Sequence, residues 1–260
     1  MSGARAMIRE ITVLPGTTKD GRPEPFQRLD LRVGEIASVV GPTGSGKTAL
    51  ITDIELLAQR DTATGRQVLI DGEPPPDDFR YDPASRPVAM ITQNTKCFTD
   101  LAVEDFLAVH ARARRLSRSG LVAETIALAN RFTGEKITPE ARITTLSGGQ
   151  TRSLMIADAL TISAAPIVLL DEIENAGIFK QDVLETIRAT GKIIIFVTHD
   201  PVIAILAQKR VVLANGGVVK ILAWDDREQP AAQALIALDN RLVEVRERLR
   251  AGETLCDVTI

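Results

Sequence analysis

A short apolar run, a glycine-rich turn and a helix-patterned segment follow one another near the start of the chain, and that succession leaves little freedom in how the rest can fold. Ile36-Ala37-Ser38-Val39-Val40 has the composition of a buried strand, and Thr48 to Ala58 carries Leu50, Ile51, Ile54, Leu57 and Ala58 at helical spacing. Between them, Gly41-Pro42-Thr43-Gly44-Ser45-Gly46-Lys47-Thr48 fits G-x-x-x-x-G-K-[ST], the phosphate-binding P-loop pattern. Glycines let the backbone turn tightly and aim its N–H groups inward, and the helix N-terminus adds partial positive charge. Lys47 is placed to reach the β- and γ-phosphates of a nucleotide, and the Thr48 hydroxyl to ligate Mg²⁺.

Four apolar runs each end in a polar residue. Val39-Val40 leads to the glycine loop, Val88 to Thr92 leads to Gln93, Ile167-Val168-Leu169-Leu170 leads to Asp171-Glu172, and Ile193 to Val197 leads to Thr198-His199-Asp200. Continuous apolar runs are what strands buried on both faces of a parallel sheet look like. In open α/β sheets ligands bind at the carboxyl ends of the strands, so the four polar ends are expected to converge on the phosphates held by Lys47. Asp171 then holds Mg²⁺, and Glu172 polarises an attacking water. Read alone, each carboxylate suits a solvated helix start, and His199 suits a surface or capping histidine. Beside a P-loop, His199 instead bonds the γ-phosphate or orients Glu172. Gln93 gains meaning only from its place in this order.

Composition narrows the partners. The 260 residues carry 31 Lys and Arg against 34 Asp and Glu, which gives no general basic surface for nucleic acid or an anionic membrane. Aromatic residues make up 3% of the chain, too few for a platform on which bases could stack. Cys97 and Cys256 have no metal-ligand spacing and form no disulfide framework, which suits a reducing cytoplasm. No apolar run approaches the length of a membrane span and the N-terminus lacks a signal pattern, so work at a membrane requires a partner to bring the chain there.

Leu146-Ser147-Gly148-Gly149-Gln150 opens a second helix-like segment, Thr151 to Ile162. Its serine and glycines form a second anion-binding terminus. One γ-phosphate needs one P-loop, so the economical explanation is that this terminus acts on a nucleotide held by another copy. Here the sequence resembles the ATP-binding cassette (ABC) ATPases, over nearly all of residues 7 to 222. The resemblance rests on Gly41 to Thr48, Gln93, Leu146 to Gln150, Ile167 to Glu172 and His199, in the family's order and spacing.

That resemblance implies an α/β fold, a P-loop NTPase with a mainly parallel core sheet, a small antiparallel β-subdomain and a helical subdomain. Residues 1–93 and 146–228 would form the ATP-binding core, residues 94–145 the helical subdomain, and residues 229–260 an amphipathic helix and tail. Val68-Leu69-Ile70-Asp71-Gly72 matches a strand and turn of the β-subdomain. In the helical part, Leu101, Val103, Phe106, Leu107 and Val109, then Leu121, Ile126, Leu128 and Ala129, supply the apolar pattern. ATP and Mg²⁺ are the implied cofactors, in a head-to-tail dimer with a second copy or a related cassette. The nucleotide would contact Gly41, Pro42, Thr43, Gly44, Ser45, Gly46, Lys47, Thr48 and Ala49 of one subunit. Ser147, Gly148, Gly149 and Gln150 of the other would complete the site. Thr48, Gln93 and Asp171 would hold the metal, with Glu172, His199 and Gln93 acting in catalysis.

The chain also departs from the family. Counting back from Lys47, the position of the aromatic residue that stacks on adenine falls near Thr18, in Thr17-Thr18-Lys19-Asp20, and Phe26 lies too near the next strand. After Glu172 the sequence runs Ile173-Glu174-Asn175-Ala176-Gly177-Ile178, so Ile178 stands at the usual Asp position. Thr151-Arg152-Ser153 differs from the usual residues after the signature. Of the remaining segments, Glu73 to Asp78 reads as a stiff acidic spacer. Asn215-Gly216-Gly217 reads as a hairpin turn between Val211–Leu213 and Val218–Leu222. Leu235, Leu238, Leu242, Val245 and Leu249 stripe an amphipathic helix expected to cover the chain's own core. Three functions share these motifs: the nucleotide-binding subunit of a membrane transporter, peripheral at the inner face of the membrane; a soluble cassette that remodels or activates a protein or assists cofactor insertion; and nucleic-acid repair or translation work, which the acidic balance disfavours.

Overall fold

Alternate residues along the central strands face opposite ways, and each face finds its own core. The computed structural model describes residues 8–82, 85–92, 97, 99–163, 165–172 and 180–255. Gln93, the segment 173–179 with Glu174 and Ile178, and Cys256 lie outside the described residues. Strands β3 (Ile36–Val40), β5 (Val88–Ile91), β6 (Ile167–Asp171) and β7 (Ile193–Val197) are the four apolar runs. They lie side by side and parallel, in the order β5-β6-β7-β3, as continuous apolar strands require. Strands β8 (Lys209–Ala214) and β9 (Gly217–Ala223) extend this sheet, β8 parallel to β3 and β9 antiparallel to β8.

On one face, Ile167, Leu169, Ile193 and Ile195 pack with Leu50, Ile51 and Ile54 of α1 (Lys47–Glu55). The same cluster takes in a three-stranded antiparallel sheet of β1 (Glu10–Leu14), β2 (Leu29–Arg32) and β4 (Gln67–Ile70), ordered β2-β1-β4. Phe26 packs against this cluster, consistent with its nearness to β2. On the other face, Val168, Leu170, Ile194 and Phe196 meet Ile156 and Leu160 of α5 (Gly148–Thr161) and Leu184 and Ile187 of α6 (Lys180–Ala189). A third cluster joins α3 (Val103–Ala113), α4 (Leu121–Arg131) and α5 through Val103, Leu107, Ala129 and Leu154.

Three sequence expectations change. Leu101 and Val109 are exposed, because the inward face of α3 is set by Val103, Phe106, Leu107 and Ala111. The spacer after Glu73 gives way to a short helix, α2 (Asp77–Tyr81), whose first turn holds Asp77 and Asp78 beside the positive helix end. The C-terminal helix α8 (Gln229–Arg250) packs on α7 (Pro201–Leu206) but does not cover the core. Ala232 is its one buried residue among those described, and Leu238, Leu242 and Leu249 stay exposed.

Candidate functional site

The sheet register brings the predicted polar residues to one edge. Val39 of β3 lies opposite Val197 of β7, and Val197 lies opposite Asp171 of β6. Ile91, which ends β5, lies opposite Leu170, so Thr92 follows at the level of Asp171. The carboxyl ends of all four parallel strands therefore share one rim, where the glycine loop leaves β3. Two backbone bonds continue the rows past the strands: Thr198 N–H donates to the Val39 carbonyl at 3.2 Å, and Glu172 N–H to the Val197 carbonyl at 3.0 Å.

The loop itself is built around backbone that only glycine accepts. Gly46 caps α1 in the left-handed region, with φ of 103°, and a Cβ there would sit 2.8 Å from Gly216 Cα. A Cβ on Gly41 would meet the Leu213 carbonyl oxygen at 2.4 Å. The β8–β9 hairpin thus closes on the loop from behind, where a register shift at Val212/Leu213 re-aims the strand. Gly216 N–H donates to the Ser45 carbonyl at 2.9 Å. Asn215-Gly216-Gly217, expected as a hairpin turn, is also the support of this loop.

Lys47 is 8% exposed, and its Nζ donates to the carbonyls of Gly41 at 2.7 Å and Pro42 at 3.2 Å. Ser45 is buried, and its Oγ has no hydrogen-bond partner among the described residues. Among the described residues the buried hydroxyl has no partner and the buried ammonium meets only neutral carbonyls, so both can still take an anion. These residues therefore fit a bound phosphate. Thr48, the next residue, is exposed at the mouth of the loop, and Asp171 is half-buried at the rim. Hydroxyl and carboxylate oxygens are the donors a small hard cation such as Mg²⁺ prefers.

Glu172 has φ of 50°, a left-handed conformation costly for a side chain with a Cβ. Strain of this kind gathers at functional sites. Its Oε1 lies 3.6 Å from Nε2 of His199, so the two predicted catalytic side chains meet. Asp200, the residue after His199, starts α7 by accepting hydrogen bonds from the N–H groups of Val202 and Ile203. That cap fixes the chain on the far side of His199.

Ser147 caps α5. Its Oγ accepts from Gln150 N–H at 3.2 Å, while Gln150 Oε1 accepts from Ser147 N–H at 2.9 Å, a reciprocal capping box. Gln150, expected at the nucleotide, thus has a structural task in this chain. Ser147 and Gly148 are exposed, leaving the helix N-terminus open to another molecule.

Sequence reasoning missed the frame that holds the loop. Arg66, fully buried, donates from Nε and Nη2 to Glu24 at 2.9 and 2.7 Å, from Nη1 to Asp53 at 2.9 Å, and from Nη2 to the Gly216 carbonyl at 3.2 Å. Burial opposes its charge, but the hydrogen bonds and charge of Glu24 and then Asp53 raise its pKa above the usual arginine value. Glu24 also accepts from the N–H groups of Gly16 and Val218, and Asp53 from Thr64 Oγ1. One guanidinium therefore ties the 16–24 segment, the helix after the P-loop and the hairpin turn together. Lys19 was missed too: its Nζ donates to the Gly44 carbonyl at 2.7 Å. Only the apolar and glycine pattern marked these segments, and the side-chain contacts of Arg66 and Lys19 reach across 13 to 150 positions, which leaves no local signal.

Known proteins share the sequence pattern and the fold of this chain. A family model described as "ABC transporter" matches residues 27–175. An uncharacterised ABC transporter ATP-binding protein of Methanocaldococcus jannaschii is 48% identical over 248 residues, covering 95% of each chain. A sulfate/thiosulfate import ATP-binding protein of Xanthomonas campestris is 31% identical over 232 residues, covering 82% of this chain and 64% of its own. A solved ATP-binding subunit of an ABC transporter superposes with a TM-score of 0.61 at 22% identity, over 89% of this chain and 98% of its own, a likeness of fold.

Proposed function

The chain belongs to the ABC transporter family as an ATP-binding, ATP-hydrolysing subunit, and from that premise we propose how its residues do the work. Two copies, or this chain and a related cassette, pair head to tail across two ATP molecules. The nucleotide lies along Gly41 to Ala49 of one subunit. Ser147, Gly148 and Gly149 at the exposed N-terminus of α5 close on it from the other. The observation that carries this reading is the shared rim, where the glycine loop, Asp171, Glu172 and His199 stand at the carboxyl ends of adjacent parallel strands.

Lys47 exchanges the carbonyls of Gly41 and Pro42 for phosphate oxygens, and Ser45 Oγ gains the partner it lacks among the described residues. Thr48, Asp171 and Gln93 would hold Mg²⁺, and the ion would supply positive charge against the phosphates. Glu172 orients the attacking water and draws its proton, with His199 fixing the carboxylate from 3.6 Å. Residues 94–145 act as a helical subdomain that docks on membrane-embedded partner subunits, and residues 1–93 with 146–228 as the ATP-binding core. No helix among the described residues is long and apolar enough to cross a membrane. The chain therefore reaches the membrane, at its cytoplasmic face, through those partners.

The test is a pair of variants in nucleotide binding, ATP hydrolysis and sedimentation. Lys47→Ala should abolish tight binding. Glu172→Gln should bind ATP and lose hydrolysis by at least about a hundredfold, the size of a lost general base. With ATP and Mg²⁺ that variant should sediment as a dimer, and without nucleotide as a monomer. Equal turnover in wild type and Glu172→Gln would remove Glu172 from its role, and a monomer at saturating ATP would remove the self-paired dimer.

A further inference from the structure

The apolar stripe of α8 lies beside the face with which that helix meets its own chain. Leu235, Leu238, Leu242, Val245 and Leu249 alternate at spacings of three and four residues, the a and d positions of two heptads. The inward face is a different one. Ala232 is buried on it, and Ile236, Asp239 and Val243, spaced three or four residues further along the same face, are half-buried where α8 packs on α7. That packing leaves Leu238, Leu242 and Leu249 41%, 52% and 56% exposed, with Leu235 and Val245 half-buried. A stripe that served the chain's own core would show the reverse.

The charges along the stripe decide what can cover it. Arg241 donates to Glu244 at 2.6 Å, Arg250 to Glu247 at 2.7 Å and Arg248 to Glu253 at 2.8 Å, so three of the four arginines of α8 are balanced by their own chain. A helix so balanced has little pull on an anionic lipid surface. Arg246, exposed at an e position beside the stripe, has no carboxylate within ion-pair distance among the described residues. In a parallel pair of α8 helices, Arg241 of one copy, at g, would face Arg246 of the other, and like charges oppose that pairing. In an antiparallel pair the e edges meet, which brings Arg246 against Asp239 of the second copy. Asp239 keeps a contact within its own chain, and a carboxylate accepts from more than one donor. The g edges bring Arg241 toward Arg248, but each already holds a glutamate of its own chain.

We infer that α8 is a self-pairing helix, whose stripe lies antiparallel against the same stripe of a second copy of this chain. The contact is isologous: Leu242 of each copy meets Val245 of the other, and Leu238 meets Leu249. It does not rest on the nucleotide reading and is separate from the head-to-tail pairing across ATP. Two heptads are fewer than the three or four that sustain a coiled coil alone, so the contact is weak and dilute nucleotide-free chains stay monomeric. Its use is to keep two copies near each other, so that any further contact between them becomes intramolecular.

Disulfide trapping of the full chain, without nucleotide and in a background carrying Cys97→Ala and Cys256→Ala, tests the pairing. Leu238→Cys combined with Leu249→Cys should give a covalent dimer under mild oxidation. The antiparallel layer puts the two positions together across copies, whereas within one helix they stand about 16 Å apart, too far for a disulfide. Either substitution alone should cross-link at least about tenfold more slowly, because neither position faces itself. Adding Leu242→Lys to the double variant should slow trapping by at least about tenfold, since each pair loses two buried leucines. Arg246→Glu should slow it by about threefold, and Arg246→Lys should leave it unchanged. Leu242 is exposed, so the melting temperature of the Leu242→Lys protein should match wild type, which separates lost pairing from lost fold. No dimer in the double variant, equal trapping in the single variants, or faster trapping with Arg246→Glu, the parallel outcome, would each overturn the assignment. Flotation of the wild-type chain with phosphatidylcholine–phosphatidylserine vesicles, with no trapped dimer in solution, would overturn it too and give the stripe to a lipid surface.

Discussion

Replacing Arg66 by methionine should cost more stability than any single change at the nucleotide loop. Arg66 and Glu24 side chains are fully buried and Asp53 is 2% exposed, so the guanidinium neutralises two carboxylates that water cannot reach. Methionine fills much of the volume but leaves both without a cation. Breaking a buried ion pair by removing one partner costs about 3–5 kcal/mol, because the remaining charge stays desolvated. This site belongs at the upper end. Arg66 makes four hydrogen bonds here, two of them bidentate to Glu24, and the Gly216 carbonyl also loses a donor. A loss of about 4 kcal/mol in a chain of this size lowers the melting temperature by roughly 8–16 °C. The assay is thermal and urea unfolding of wild type and Arg66→Met at pH 7.5 and pH 5. The gap between the two should narrow at pH 5, since a buried carboxylate without a cation relieves its cost by binding a proton. The folded variant then holds more protons than its unfolded chain, so its stability falls as pH rises. A loss below about 1 kcal/mol, or a gap that does not change with pH, would refute the claim that burial of charge sets the cost.

Gly46→Ala should weaken nucleotide binding and cost about 1–3 kcal/mol, because φ of 103° and a backbone contact at 2.8 Å leave the methyl no room; unfolding and ATP titration of the variant check this. Lys192 donates to the carbonyls of Ala159, Ser163 and Ala165, and burial, with the charge of Arg114 and against that of Asp158, pulls its pKa down to about 8. Between pH 8 and the unfolded value of 10.5 the unfolded chain holds a proton that the folded one has released. Stability relative to Lys192→Met should therefore rise with pH across that window, by about 3 kcal/mol at most. Urea unfolding of both proteins at pH 7.5 and pH 10 measures it, and parallel pH profiles would exclude the titration.

The parallel sheet was legible because its strands are buried on both faces. Ile193 to Val197 is apolar at every position, and the structure uses every position, Ile193, Ile195 and Val197 on one side and Ile194 and Phe196 on the other. An amphipathic helix offers no such guarantee. Leu238, Leu242 and Leu249 repeat at helical spacing as clearly as the residues of α1, yet they remain exposed. Periodicity states which side chains share a face of a helix, and only tertiary contact states whether anything meets that face. For the same reason Val109 reads as apolar and lies outward, since its neighbours Phe106 and Leu107 already fill the inner face of α3.

The site divides along the same line. The loop of Ser45, Gly46 and Lys47 was legible because it is one short stretch of backbone whose glycines its left-handed conformation and close contacts require. The pairing of Glu172 with His199 followed from strand order, since both residues stand just past adjacent strands. What could not be read is how the loop is held in place. Arg66 looks like any surface arginine until Glu24, 42 residues earlier, and Asp53, 13 earlier, fold around it. The Gly216 that receives both Arg66 and the stem of Lys19 was visible only as a turn. Its N–H holds the Ser45 carbonyl, its missing side chain admits the stem of Lys19, and the missing side chain of Gly46 lets the loop lie against the Gly216 backbone. A substitution at Gly216 would therefore disturb the loop from two directions at once, although the residue lies 170 positions from Gly46 and carries no group that could touch a nucleotide.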